Sequence, residues 1–322
     1  MKTFVTGGAG FLGSAVVSRL VARGDEVLGL ARSERAAGRL TRLGAVPLRG
    51  DINDAGLLGV AMAGAEVVYH IAGDYRVGIK ELEHEAMFRV NVDGTICVLD
   101  AAVSASASRI VYISTVTVFG NTHGEIVDET YDRPDRDFLS YYDATKYMAH
   151  RVAVARAAAG APLVIVQPGA VYGPGDHSDL GDQIDQAARG KYRLRAFPEL
   201  GFTMSYVDDV ADGVVLAETK GRPGEAYVLG GEVTRLGTIL DAVADLTGHK
   251  RARWKVPPSV FRAASPLGSV VGRWAGTGPN LHEIIRASED ATYWATSAKA
   301  ERELGYAPRG LDQGLRDLLA AR

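Results

Sequence analysis

A glycine-rich turn near the start of the chain limits the possible folds more than any other stretch. Residues 2–6 form a short apolar run, the sequence continues Thr6-Gly7-Gly8-Ala9-Gly10-Phe11-Leu12-Gly13, and an amphipathic segment then extends to Arg23. Strand, glycine turn and helix in this order are the context that a dinucleotide-binding loop requires. The glycines allow a tight turn and a close approach of backbone to a pyrophosphate, and the helix start offers free N–H groups to the phosphates. The stretch therefore predicts a dinucleotide site.

The rest of the chain repeats the alternation of strand and helix. Further short apolar runs are predicted as strands at residues 26–30, 45–49, 66–73, 109–113, 163–166 and 226–230, with helical patterns between them. Such regular alternation predicts an α/β fold, a Rossmann-type doubly wound parallel sheet. We expect residues 1–170 to form the dinucleotide-binding domain, with residues 203–233 returning to it. Residues 171–202 and 234–322 are expected to form a smaller substrate lobe, in which residues 257–280 shape the pocket.

Composition excludes several classes of protein. The 322 residues include 47% hydrophobic and 23% charged residues, and the net charge is -3, which argues against a nucleic-acid or anionic-membrane partner. A single cysteine excludes an internal disulfide, and no cluster has the spacing of a metal site, so no metal is expected. No apolar run approaches a membrane span, and no signal peptide is predicted. The expected location is the cytoplasm.

The end of the second predicted strand carries an arginine. NAD-specific sites usually place a carboxylate here for the ribose hydroxyls, whereas this chain has Arg32. A guanidinium suits a 2′-phosphate because its fork matches the phosphate oxygens. NADP(H) is therefore preferred over NAD(H), which stays possible. Further along, Arg39 and Arg42 are assigned to a solvated helix face.

A tyrosine and a lysine four residues apart begin a long helical pattern that extends to about residue 159. Tyr142 and Lys146 would share one helix face. An ammonium near a phenol favours the phenolate and lowers the tyrosine pKa, which would make Tyr142 a usable general acid or base. The spacing alone is also common in surface contacts. Earlier in the chain, His70 is interpreted as a satisfied core histidine.

Several motifs in sequence order resemble the extended short-chain dehydrogenase/reductase family, also described as the NAD-dependent epimerase/dehydratase superfamily. They span nearly the whole chain and are Thr6–Gly13, Gly50-Asp51, His70–Gly73, Asn91–Thr95, Ser114-Thr115, Tyr142–Lys146, Val171–Pro174, Tyr206–Val210 and Ser297–Pro308. Within that family, residues 70–76, 190–210 and 227–232 are similar to the dihydroflavonol-reductase-like group.

The resemblance implies roles for individual residues. Tyr142 would be the acid/base, Lys146 would hold the nicotinamide ribose, and Thr115 would hydrogen-bond the reacting oxygen. Tyr141 is excluded as the acid/base because the residue four positions on is threonine. The implied cofactor-binding residues are Gly7, Gly10, Phe11, Leu12, Gly13, Arg32, Asp51, Ile52, Ala72, Gly73, Tyr142, Lys146, Pro168 and Val171, with Asp51 and Ile52 flanking the adenine.

The branch of the family decides the reaction. Nucleotide-sugar enzymes of the family usually carry diphosphate ligands where this chain has residues 169–171 and 203–205, and those ligands are missing. We therefore expect an NADPH-dependent reductase of a small aldehyde or ketone. The alternative is a nucleotide-sugar epimerase or dehydratase with tightly bound NAD, supported by the basic run of residues 189–195. A dinucleotide-sensing regulator has no need for Thr115, Tyr142 and Lys146 together. The resemblance also implies a homodimer formed by the helices at about residues 79–104 and 141–159.

Overall fold

The computed structural model describes residues 1–134, 136–256 and 280–322. The strands in these residues are β1 (Lys2–Thr6), β2 (Glu26–Ala31), β3 (Val46–Arg49), β4 (Val67–His70), β5 (Arg109–Ile113), β6 (Leu163–Pro168), β7 (Ala170–Tyr172), β8 (Leu194–Arg195), β9 (Gly201–Tyr206), β10 (Ala226–Leu229), β11 (Val233–Arg235), β12 (Trp254–Lys255) and β13 (Thr292–Tyr293). The predicted strand at residues 66–73 ends earlier, at His70, and the residues after it form a loop.

The helices in the described residues are α1 (Phe11–Ala22), α2 (Glu34–Arg42), α3 (Ala55–Ala61), α4 (His84–Phe88), α5 (Gly94–Ser104), α6 (Tyr141–Ala158), α7 (Asp179–Ala188), α8 (Val207–Lys220), α9 (Leu236–Leu246), α10 (Leu281–Ser288), α11 (Ala298–Leu304) and α12 (Leu311–Ala320). Short 3₁₀ turns lie at Glu81–Glu83 and Val116–Phe119. Between α4 and α5 the chain forms a π-helical turn, Arg89–Asp93, so the predicted helical region is continuous but irregular.

Seven strands form the central sheet in the order β10-β6-β5-β4-β1-β2-β3. Every neighbouring pair in it is parallel. Successive side chains of a strand point to opposite faces. Accordingly, Val5 packs with α1, α2, α8 and α11 on one face, and Phe4 packs with α3, α5 and α6 on the other. The predicted doubly wound parallel α/β fold is confirmed.

Side-chain caps define where three helices near the carboxyl edge of the sheet begin. Ser33, Asp54 and Ser140 each precede a helix and accept a hydrogen bond from a backbone N–H in its first turn. Such a cap satisfies one of the donors that every helix start leaves free. The caps fix the first residues of α2, α3 and α6, and α6 begins next to Tyr142.

A smaller sheet lies beside the central one. Strand β9 pairs with β7 and β13 in parallel and with β11 in the antiparallel sense, and β8 pairs with β12. The division into two lobes at the boundaries given above stays a prediction. Of the segment expected to shape the pocket, residues 257–279 lie outside the described residues. Within the described part of the chain, no helix combines the length and apolar character needed to cross a membrane.

Candidate active site

The glycine turn is packed so closely that larger residues do not fit. Gly7 has a φ of +71°, and a Cβ on it would lie 2.5 Å from the backbone nitrogen of Ala72. A Cβ on Gly13 would lie 2.1 Å from the carbonyl oxygen of Gly7. Gly10 closes the turn by donating its N–H to the Gly7 carbonyl at 2.9 Å. The turn therefore brings the start of α1 against the ends of β1 and β4.

The first turn of α1 offers donors that suit a pyrophosphate. No side chain caps this helix, and the first N–H bonded within it is that of Ser14, which donates to the Gly10 carbonyl at 3.0 Å. The N–H groups of Phe11, Leu12 and Gly13 therefore remain available. Together with the positive end of the helix dipole they fit the phosphates of a dinucleotide. These backbone N–H groups therefore fit the dinucleotide cofactor that the sequence predicts.

Two arginines lie near this turn. Arg32 follows β2 directly and is exposed, and its carbonyl accepts a hydrogen bond from Arg49 at 3.2 Å. Arg39, assigned from the sequence to a solvated face, donates instead from Nη2 to the hydroxyl of Ser14 at 3.0 Å. Its guanidinium therefore reaches the first turns of α1. Sequence reasoning missed this because Arg39 and Ser14 are brought together only by the packing of α2 beside α1.

Asp51 and Ile52 follow β3, where an adenine is expected. The Asp51 carboxylate accepts hydrogen bonds from the backbone N–H of Asn53 at 2.9 Å and from its side-chain amide at 3.2 Å. The backbone hydrogen bond from Asn53 is the main reason that the pKa of Asp51 lies below its ordinary value. Ile52 packs against the start of α5, since a Cβ on Gly94 would lie 2.9 Å from its side chain.

His70, at the end of β4, is a core residue. It is fully buried, with Nδ1 2.8 Å from the hydroxyl of Thr6 and Nε2 2.9 Å from the hydroxyl of Thr95. Burial, with a smaller effect from the charge of Lys146, lowers its pKa to about 3. Both ring nitrogens are used and the ring is neutral at physiological pH. The structure thus agrees with the interpretation of a satisfied core histidine.

The loop after β4 is fastened to the π turn by Asn91. The Asn91 side chain accepts from the N–H of Asp74 at 2.7 Å and donates to its carbonyl at 3.0 Å. It also donates to the hydroxyl of Thr145 on α6 at 3.1 Å. One buried amide therefore positions the loop that contains Ala72 and Gly73 relative to the helix of Tyr142. The sequence motif indicated Asn91 but not this function.

Tyr142 and Thr115 lie together beneath that loop. Tyr142 is 8% exposed, and its ring meets that of Tyr75 edge-on with centroids 4.8 Å apart. Burial raises the pKa of Tyr142 well above its ordinary value, and hydrogen bonding to Thr115 opposes the rise. Thr115 also donates to the Thr117 hydroxyl at 3.1 Å. The expectation that Lys146 lowers the pKa of Tyr142 is wrong for this arrangement, because burial outweighs any effect of the ammonium.

Lys146 is directed to the ends of the central strands. Its Nζ donates to the carbonyl of Ile113 at 3.0 Å and lies 3.5 Å from the hydroxyl of Tyr112. Burial lowers the pKa of Lys146 to about 8. A Cβ on Gly73 would be 3.9 Å from Nζ, so the ammonium stands at the floor of the space below the loop. That position suits a ribose hydroxyl.

Pro168 and Val171, the remaining predicted cofactor residues, lie where the two sheets meet. Pro168 ends β6 and pairs with Leu229, and Val171 in β7 pairs with Ser205. Between them, a Cβ on Gly169 would lie 2.1 Å from the carbonyl oxygen of Thr203. The backbone that follows β6 is therefore held tightly at the carboxyl edge of the central sheet.

Two of the four cations in the basic run of residues 189–195 are paired with carboxylates. Arg189 pairs with Asp185 at 2.8 Å, and Arg195 pairs with Asp241. An arginine already paired with a carboxylate is a poor ligand for a diphosphate, since the new contact has to replace the old one. In the described part of the chain, no group of three or more His, Cys, Asp or Glu could hold a metal ion.

A buried ion pair supports the residue next to Tyr142. The guanidinium of Arg133 donates from Nη1 to one oxygen of Asp143 at 2.9 Å and from Nη2 to the other at 3.4 Å. It lies 4.8 Å from the ring centroid of Phe138 and 5.4 Å from that of Tyr147. The pair joins the segment that contains Arg133 to the first turn of α6. Asp143 showed no such importance in the sequence.

Known proteins resemble the chain over its whole length. The sequence profile of the NAD dependent epimerase/dehydratase family matches residues 3–230. A 4-hydroxy-2-methyl-3-oxo-4-farnesyl-3,4-dihydroquinoline-1-oxide ketoreductase from Stigmatella aurantiaca is 33% identical over 96% of this chain and 92% of its own length. A Synechocystis sp. protein provisionally named dihydroflavonol 4-reductase is 32% identical over 98% of this chain and 92% of its own.

Solved structures agree with these matches. The crystal structure of gox2253 superposes with a TM-score of 0.84 at 31% identity, over 99% of this chain and 97% of that one. The glycine turn, the seven-stranded parallel sheet and the extended match therefore lead to one conclusion. The chain belongs to the NAD-dependent epimerase/dehydratase family of extended short-chain dehydrogenases/reductases and is an NAD(P)-dependent oxidoreductase.

Proposed function

We propose that this protein is an NADPH-dependent reductase of a small aldehyde or ketone, working in reverse as an alcohol dehydrogenase. The observation that carries the proposal is the grouping of Thr115 and Tyr142 below the loop after β4, with the Lys146 ammonium on the same floor. The name of the Stigmatella aurantiaca relative, a ketoreductase, supports the same type of reaction.

The residues have distinct functions in this proposal. Thr115 and Tyr142 bind the carbonyl oxygen, and Tyr142 gives its proton to that oxygen as the carbonyl is reduced. A bound nicotinamide would supply the hydride that the carbonyl carbon receives. Lys146 would hold the ribose hydroxyls, while the N–H groups of Phe11, Leu12 and Gly13 would bind the pyrophosphate. The products are the alcohol and the oxidised cofactor.

The electrostatics of Tyr142 favour the reductive direction. Because burial raises the pKa of Tyr142, the phenol keeps its proton at neutral pH. A protonated phenol can donate to a carbonyl oxygen, whereas alcohol oxidation needs the phenolate as a base. We therefore expect reduction to proceed well near neutral pH and oxidation to require a more alkaline medium.

Two arginines support NADP(H) as the preferred cofactor. Arg32 is exposed at the end of β2, and the Arg39 guanidinium reaches Ser14 on α1. A 2′-phosphate between them would accept charge-assisted hydrogen bonds from both. Replacing Arg39 with Gln should raise the KM for NADPH about tenfold, as expected for the loss of one such bond, and leave the KM for NADH within about twofold. Arg42→Gln, on the same helix, is the matched control and should leave both unchanged.

The epimerase or dehydratase alternative has weaker support. It needs cationic ligands for a diphosphate, and Arg189 and Arg195 of the basic run are already paired with carboxylates. The residues at positions 169–171 and 203–205 are uncharged. This reaction also leaves no net change in the cofactor, which gives a clear way to tell the two apart.

The deciding experiment follows nicotinamide absorbance with NADPH or NADH and a panel of aldehydes and ketones. Net oxidation that is faster with NADPH would support the proposal. Tyr142→Phe should then lose most of the turnover while its NADPH affinity stays nearly unchanged. A nucleotide sugar converted without net cofactor consumption, or full turnover by Tyr142→Phe, would overturn it.

We also propose a homodimer that pairs α5 and α6 with their copies. Both helices carry exposed apolar side chains, Val103 on α5 and Met148 on α6. Burying such side chains at an interface is favourable because it removes apolar surface from water. Light scattering at micromolar concentration should give twice the mass of the chain, and a monomer would contradict the proposal. The cytoplasmic location stays a prediction from sequence.

A further inference from the structure

Tyr75 is an exposed aromatic residue in direct contact with the proposed acid/base. Its ring meets that of Tyr142 at an angle of 87° with centroids 4.8 Å apart. Tyr142 is 8% exposed, but Tyr75 is 58% exposed. An edge-to-face contact uses only part of the ring surface. Much of the Tyr75 ring is therefore left uncovered directly beside the group that would protonate a substrate.

The loop on both sides of Tyr75 is held in place. Asp74 is bonded through its backbone N–H and carbonyl to the side chain of Asn91, at 2.7 and 3.0 Å. Arg76 donates to both oxygens of Asp74, at 2.8 and 2.6 Å, and to Glu83 at 2.5 Å. An aromatic side chain on a fixed backbone can bind a ligand with little loss of conformational freedom. These contacts argue against an exposed ring that is merely the tip of a loose loop.

Two acidic residues lie close enough to Tyr75 to affect its phenol. Burial raises the pKa of Tyr75 to about 12, and the charges of Asp179 and Asp176 add to the rise. The ring itself is 58% exposed, so protein covers it on some sides only. Asp176 and Asp179 lie at the start of α7, which belongs to the segment expected to bind substrate. Asp179 is exposed and makes that side of the ring negative, whereas Asp176 is partly buried and burial raises its pKa.

We propose that Tyr75 is a substrate-binding residue whose ring stacks on a flat, uncharged, ring-bearing ketone, with the ketone oxygen at Tyr142 and Thr115. The inference rests on the proposed reductase function and narrows its substrate class. A flat ring gains both the burial of its apolar face and an aromatic contact at this position. A substrate with a phosphate or carboxylate on this side would meet the negative charge of Asp179.

The first test compares 1-tetralone, which is flat and cyclic, with 2-butanone. Tyr75→Ala should reduce kcat/KM for 1-tetralone about tenfold, the effect of losing one stacked aromatic contact, and change that for 2-butanone by less than about twofold. Tyr75→Phe keeps the ring and should behave as the parent. The control is Leu82→Ala, which removes another exposed apolar side chain (81% exposed) from the same segment and should leave both ketones unaffected.

Equal losses for the two ketones would overturn the proposal, because they would indicate a structural effect on Tyr142. No loss for 1-tetralone would also overturn it. Calorimetric binding of 1-tetralone to the Tyr142→Phe protein saturated with NADPH separates this inference from the reaction. If adding Tyr75→Ala weakens this binding about tenfold, Tyr75 is supported as a binding residue. That result would hold even if turnover assays refuted the proposed reductase activity.

The charge of the substrate is tested with a carboxylate-substituted 1-tetralone. We expect kcat/KM for the carboxylate-substituted ketone to be lower than for 1-tetralone. The difference between the two values should widen at low ionic strength, because charges are less screened there. Asp179→Asn should narrow the difference in kcat/KM between the two ketones. An anion that is used as well as the neutral ketone would refute the inference that the substrate is uncharged.

Discussion

The buried pair of Arg133 and Asp143 allows a sharp test of how the helix of Tyr142 is held. The side chains are 3% and 1% exposed, and two hydrogen bonds of 2.9 and 3.4 Å join them. Asp143→Ala would remove the carboxylate that accepts both of these hydrogen bonds from the buried guanidinium. Removing one partner of a buried pair typically costs about 3–5 kcal/mol of the free energy of unfolding. We expect a loss of that size.

The double variant Arg133→Met with Asp143→Leu should behave differently. It removes both charges together and fills their space with apolar groups, a change that is often neutral or stabilising. The Leu139 N–H would lose its bond to Asp143, at 3.1 Å, so a residual cost of about 1 kcal/mol is expected. The double variant should thus be more stable than either of its component single variants, Arg133→Met and Asp143→Leu.

Urea unfolding followed by circular dichroism measures these differences. The matched control is Asp100→Ala, which breaks the pair of Arg156 on α6 with Asp100 on α5, at 2.6 Å but with side chains 39% and 48% exposed. Exposed pairs contribute about 0–1 kcal/mol, so little change is expected there. If Asp143→Ala cost no more than Asp100→Ala, or if the double variant lost the sum of the single losses, the reasoning would be refuted.

Three further predictions concern the cofactor turn and pH. Gly13→Ala should abolish detectable NADPH binding by calorimetry, because its Cβ would lie 2.1 Å from a carbonyl oxygen of the turn; tight binding would contradict that account. Since the pKa of Lys146 is lowered to about 8 from an ordinary 10.5, the native state loses this proton first, and the free energy of unfolding should rise between those pH values. Urea unfolding of Lys146→Met should show no such rise relative to the parent. The pKa values of His70 and His150 are lowered to about 3 and about 4, so stability should fall as the pH drops below 6.5, and His150→Gln should make that fall shallower.

The sequence predicted the central sheet well because its signals are local. The glycine turn, the short apolar runs and the helical spacing each act within about ten residues, and alternation then implies parallel strands. The start of α6 was predicted next to Tyr142, and Ser140 caps it there. The early end of β4 was missed because apolar residues continue past His70, where the chain already forms a loop.

The site was predicted less completely because its contacts join distant residues. The pairing of Arg39 with Ser14 depends on the packing of two helices, and no pattern within α2 indicates it. The pKa of Tyr142 was expected to fall because helical spacing brings a lysine near. The spacing contains no information about burial, and burial decides the direction of the shift. The contact of Lys146 is another example, because its Nζ donates to the carbonyl of Ile113, which lies far from it in the sequence.

In the π turn at Arg89–Asp93, the number of residues is constrained as well as their identity. A π turn holds one residue more than an α turn, so deleting one residue there would restore regular helix and rotate one side against the other by about 100°. Asn91 would then point away from Asp74 and Thr145, which its side chain now joins. Substitutions at exposed positions of the turn should be tolerated, whereas insertions and deletions within the turn should not be. Alignments of functional variants of this chain should therefore place their gaps outside residues 89–93.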